Sequence, residues 1–203
     1  MLEKTGSHRF FRLVGLSALL AWTLLVPGDA KAQGEELEER YRAFGVAMGA
    51  GVSGVLDITV TRWTTEDERK LLINSLVQDG QEKTVELLRK QEETGWARTQ
   101  SGAGMGGMPS ARLHYAYEFN EEGKRTVVLI TDRTLRIGEV GSRSSEYDIS
   151  AIVMELTQEG DKEEGHGLFY PAVKVGFNKE KNSLEVEYLG TEPIRLTNIQ
   201  REK

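Results

Sequence analysis

The sequence predicts an α+β fold: a curved, mostly antiparallel sheet with a helical hairpin after the first strand. Three observations carry this. Residues 52–60 alternate apolar and polar; residues 64–93 repeat apolar positions at helical spacing between capping signals; and from Leu113 to Ile199 short apolar runs recur with brief turns between them. Parallel neighbours need a crossover of about a dozen residues. The later turns are shorter than that, so the strands they join are antiparallel. The pattern leaves open whether the sheet closes into a barrel.

The chain opens with a segment that precedes the fold. Lys4, His8, Arg9 and Arg12 form a basic stretch, Leu13 to Val26 an apolar run of 14 residues, and Ala30-Lys31-Ala32 a small-x-small pattern. This reads as a cleavable signal peptide over residues 1–32, which places the mature protein outside the cytoplasm, periplasmic or secreted. The apolar run falls short of the roughly 20 residues that span a bilayer, and no adjacent arginine pair marks the twin-arginine route. A soluble, exported bacterial protein is the expectation.

Residues 33–50 are expected to be a flexible arm. Leu37, Tyr41, Phe44 and Met48 lie at helical spacing, but Gly45 and Gly49 weaken a helix there. The single domain is then expected over 51–203. Val52, Leu56, Ile58 and Val60 alternate with Ser53, Asp57 and Thr59, as in a strand with one wet face. Thr65 and Glu68 have capping-box spacing and open a helix, aided by Glu66 and Asp67 at the positive end of its dipole. Leu72, Ile73, Leu76 and Val77 form its stripe. A second helix runs from Gln81 to about Glu93, after Asp79-Gly80.

Beyond Trp96 a glycine-rich stretch, Ser101 to Pro109, leads into a β region. Leu113, Tyr115, Tyr117 and Phe119 alternate with His114, Ala116 and Glu118, and Val127 to Ile130 return as a more fully buried strand after a turn at 120–123. Further strands are expected at 147–156, 168–177, 184–189 and 194–199. The apolar register changes parity within 147–156, which signals burial on both faces or a bulge.

Composition narrows the function classes. Of 203 residues, 26 are basic and 32 acidic; residues 1–32 hold four of the basic and two of the acidic, so the remainder carries a net charge of about −8. That balance repels phosphate backbones and anionic lipid. No cysteine is present, which excludes disulfides, thiol catalysis and cysteine-based metal sites.

Two stretches match G-x-G-x-x-G, at 49–54 and 102–107, yet both lead into strands, whereas a dinucleotide site needs a helix N-terminus there. They read as loops, and no cofactor is expected. Outside the signal only His114 and His166 remain, without zinc or calcium ligand spacing, so no metal site is expected. No G-x-S-x-G or S-x-x-K motif is present, and no catalytic residue is assigned.

Arg62-Trp63-Thr64-Thr65-Glu66-Asp67-Glu68-Arg69, Ile130-Thr131-Asp132-Arg133 and Glu192-Pro193-Ile194-Arg195-Leu196-Thr197-Asn198, taken as a series, resemble a family of exported bacterial proteins of unknown function. The resemblance implies one exported α+β domain and brings no activity, cofactor or residue role.

The expected function is a non-catalytic binding domain for an apolar small molecule or an envelope partner. Its candidate pocket lies between the 101–109 loop with Met105 and Met108, the helical pair, and the stripe Tyr115, Tyr117. Two alternatives stand beside it: a secreted hydrolase using His114 or His166 with a carboxylate, and an accessory subunit of an exported assembly.

Overall fold

The computed structural model describes residues 38–48, 51–100, 110–121, 123–133, 149–160, 162–178, 183–189 and 192–202, all within the unit Ala32–Lys203. The signal-peptide segment, Met105 and Met108 lie outside the described residues.

The order is β1 (Glu39–Ala47), β2 (Val52–Val60), α1 (Glu66–Asp79), α2 (Gln81–Leu88), β3 (Gly95–Thr99), β4 (Ala111–Glu121), β5 (Lys124–Thr131), β6 (Ile149–Glu159), β7 (Lys162–Asn178), β8 (Ser183–Leu189) and β9 (Ile194–Glu202). Strands pair in the order β6-β5-β4-β3-β2-β1-β9-β7, and a β6–β7 pairing closes the ring. The result is an eight-stranded antiparallel barrel, with β8 paired to β7 outside it. The helices are two short elements added to that barrel, so the expected antiparallel sheet is present while the α+β label overstates the helical share.

Three expectations are corrected. Residues expected as a flexible arm hold β1, whose Glu39, Tyr41, Ala43 and Ala47 face inward and are buried. The helical hairpin therefore follows the second strand, and its second helix stops at Leu88. The segment after Thr94 is strand β3, and β7 starts at Lys162 rather than Leu168. In each missed strand the inward row uses glycine, alanine or a charge, so the large apolar alternation that marks a strand is missing.

An eight-stranded barrel leaves an interior that side chains can just fill. Here Tyr41, Leu56, Ile58, Leu113, Leu129, Ile152, Met154 and Phe169 fill it, each 1% exposed or less. Small residues set how closely the walls approach. A Cβ at Gly165 would lie 2.0 Å from the Glu155 carbonyl oxygen, and one at Gly167 2.3 Å from that of Val153. In β9 an extra residue shifts the register against both neighbours; Asn198 takes it up at φ 50°, a conformation asparagine tolerates. The bulge lets Leu196 and Ile199 both face the core.

The outer wall is polar over much of its circumference: Arg40, Arg42, Arg98 and Arg112 are exposed there. Lipid would demand the reverse pattern. Among the described residues no helix is long and apolar enough to cross a membrane. The outer face of β4 to β7 is the exception, because α1 and α2 cover it. Leu72, Val85 and Leu88 pack there against Tyr115, Ile130, Ile149, Val173 and Val175.

Candidate functional site

The helical pair is anchored firmly at its base. Thr65 caps α1 with a complete capping box, and Arg62 donates to both Glu68 carboxylate oxygens at 3.0 and 3.1 Å and to the Glu92 carbonyl at 2.8 Å. The Glu68 carboxyl is held below its ordinary value: partial burial raises it, but Arg62 and the Thr65 amide outweigh that. Thr64 also bonds β4 twice, its amide donating to the Ala116 carbonyl at 2.8 Å and its hydroxyl accepting from the Ala116 amide at 2.9 Å. These bonds take over where the short β3–β4 pairing, Gly95↔Leu113 to Ala97↔Ala111, has ended.

Between this pair and the barrel wall lies an apolar cleft. Leu72, Leu76, Val85 and Leu88 line it from the helices, and Tyr115, Ile130, Ile149 and Val175 from β4, β5, β6 and β7; Gln81 and Thr84 also border it without presenting polar surface to it. Its empty space is about 360 Å³ counting the opening to solvent, of which about 20 Å³ admits the centre of a water-sized sphere. That holds a water or two. Anything larger must move the helices.

Of the residues named from sequence, Tyr115 lines this cleft and is 2% exposed. Burial pushes its phenol above the ordinary range, against the pull of the Arg69 charge. Tyr117 packs against the same cluster without lining the cleft, and the buried Arg69 guanidinium sits 4.6 Å above its ring. The two tyrosines thus belong to the helix–barrel seam.

The histidines are apart. His114, the extra residue of a bulge in β4, is buried, with Nδ1 3.2 Å from the Gln91 carbonyl and Nε2 3.9 Å from Asp132 Oδ1. His166 is exposed on the wall, 3.6 Å from Glu155. The ring contacts are thus a carbonyl and a carboxylate for His114 and a carboxylate for His166, whereas an acyl-transfer site also requires a nucleophile. Among the described residues no group of three His, Asp or Glu side chains is placed to hold a metal ion.

A second cluster was hidden from sequence reading. At one end of the barrel the inward rows of five strands finish in charges: Glu39 on β1, Glu118 on β4, Arg125 on β5, Glu163 on β7 and Arg201 on β9. Arg125 binds all three carboxylates. Its Nη2 donates to Glu39 at 2.7 Å, Nη1 to Glu163 at 3.0 Å, and Nε to Glu118 at 2.6 Å. Arg201 adds a bond to Glu39 at 3.0 Å, and Trp63 lies 5.5 Å from the Arg125 guanidinium. Tyr41 donates to Glu39 at 2.5 Å and accepts from Arg125 at 3.0 Å.

Burial alone would raise the Glu39 carboxyl, but the hydrogen bonds from Tyr41 and Arg125 and the two arginine charges hold it below its ordinary value. Burial likewise lifts the Tyr41 phenol. A carboxylate kept ionised by three donors is a poor proton shuttle, and the network closes the barrel end. Its signal in the sequence is phase: each charge continues an inward apolar row, as Arg125 does before Val127 and Leu129, and Arg201 after Ile199.

No family model, no curated protein and no solved structure matches this chain.

Proposed function

We propose that the protein is an exported, non-catalytic binding domain that takes an apolar or amphipathic small molecule between the helical pair and the outer wall of the barrel. The observation that carries this is the cleft itself, apolar on both walls and lying where α1 and α2 cover the sheet. The filled lumen argues against a ligand inside the barrel, so the helix-covered wall is the better receptor. Ligand sites of this kind are concave and mostly apolar, with a few polar groups to fix orientation. The apolar walls meet the first part of that description.

The experiment is titration of the purified protein with the fluorescent probe 1-anilinonaphthalene-8-sulfonate and with laurate, beside the variant Leu76→Trp, which fills the cleft from the half-buried face of α1. Saturable binding that laurate displaces, and that Leu76→Trp weakens at least tenfold, is the expected result. Binding unchanged in Leu76→Trp, or no saturable binding, overturns the proposal.

A further inference from the structure

The cleft is too small for a ligand as it stands, so the way it opens is part of its function. The helical pair is a strap with two fixed feet and one free tip. One foot is the Arg62, Thr64 and Thr65 anchor, and the other is the return of the chain into β3. The tip is the α1–α2 junction at Gly80, where φ is +85° and a side chain would be strained.

The Gln81 side chain fastens that tip. The Gln81 amide Nε2 donates to the Val173 carbonyl at 3.3 Å, and its Oε1 accepts from the Val175 amide at 2.9 Å. The strap reaches β7 at the stretch where Val173 pairs with Ile149 of β6 and with Leu189 of β8. Gln81 thus bonds one acceptor and one donor of the β7 backbone from the helical pair. It also lines the cleft.

From this we infer that Gln81 is the latch of the cleft: ligand entry proceeds by release of its two bonds to β7 and lifting of the α1–α2 tip, with the Arg62 side as hinge. The inference rests on the cleft being the binding site. Its own prediction, local opening at the tip, is readable without any ligand. The bonds are neutral and side-chain to backbone, and their loss shifts a local equilibrium by about 5–30-fold. The apolar contacts of Val85 and Leu88 still reclose the strap.

The test is amide hydrogen exchange of the full chain, resolved at Val175 and along α2, for the wild type, Gln81→Ala and Arg89→Ala. Arg89 follows α2 at the end away from the tip. In Gln81→Ala, exchange at Val175 and in the first turn of α2 should rise about tenfold while β2 and β5 stay protected; Arg89→Ala should leave Val175 unchanged. Gln81→Glu serves as a second variant, keeping an acceptor for Val175 and losing the donor to Val173. It should fall between wild type and Gln81→Ala. Wild-type exchange at Val175 in Gln81→Ala, or an equal rise in Arg89→Ala, overturns the latch. Association of 1-anilinonaphthalene-8-sulfonate, followed by stopped flow, should speed up in Gln81→Ala. Faster exchange with no dye binding in any variant would leave the latch standing and remove the binding function instead.

Discussion

Replacing Arg125 by Met keeps much of the apolar stem beneath Trp63 and deletes the guanidinium that three carboxylates share. Glu39 is then the costly residue, because its side chain has no exposed surface while those of Glu118 and Glu163 retain 20% and 9%. Removing one partner of a buried ion pair costs about 3–5 kcal/mol. Arg201 still reaches Glu39 at 3.0 Å, which favours the lower end, about 3 kcal/mol against a typical domain stability of about 5–15 kcal/mol. Urea unfolding followed by tryptophan fluorescence measures it.

The pH dependence gives the sharper test. In the wild type the Glu39 carboxyl lies below its ordinary value, so its contribution is fully present above the unfolded value and is lost as pH falls through the folded one. Without Arg125 two of the lowering causes are gone while burial remains, so the folded value rises and protonation costs the native state less. The gap between the two proteins should therefore narrow from pH 7 to pH 4.5. Adding Glu39→Gln to Arg125→Met should recover part of the loss, with a coupling of about 0.5–3 kcal/mol. A gap below about 1 kcal/mol at pH 7, or one independent of pH, would refute the reasoning.

Two further predictions concern the barrel wall. Gly165→Ala should cost about 3 kcal/mol, the upper end for overpacking, because the new methyl meets the Glu155 carbonyl; Gly123→Ala, with nothing within 4 Å and only its positive φ to strain, should cost about 1–2 kcal/mol. Denaturation midpoints decide, and equal costs would count against the close approach of β6 and β7. Asn198→Gly should shift the unfolding midpoint little, while Asn198→Val should destabilise by about 2 kcal/mol, since a β-branched residue strongly resists φ near 50°.

The sequence showed most clearly those strands whose inward residues are large. Val52 to Val60 and Ile194 to Ile199 announce themselves because Leu56, Ile58 and Leu196 are each followed by a polar residue, and Val127 to Ile130 as a continuous apolar run. β1 hides because its inward row is Glu39, Tyr41, Ala43, Gly45 and Ala47, and Tyr41, Phe44 and Met48 imitate a helical stripe. The capping box at Thr65 and Glu68 was legible in full, being local chemistry. The Arg125 network was not, since it joins residues up to 162 positions apart, such as Glu39 and Arg201, and exists only once the ring has closed. Tyr115 was found as an aromatic on a strand; that Gln81 bridges to Val173 and Val175 is a tertiary fact no local pattern encodes.

Closing a sheet into a ring normally abolishes free edges, but here one described strand, β8, stands outside the ring. β8 hydrogen-bonds to β7 on one side, and among the described residues no strand pairs with its other side. A strand paired on one side is the arrangement through which extended chains join a sheet or identical molecules stack, so Ser183–Leu189 is where a further strand would add to this fold.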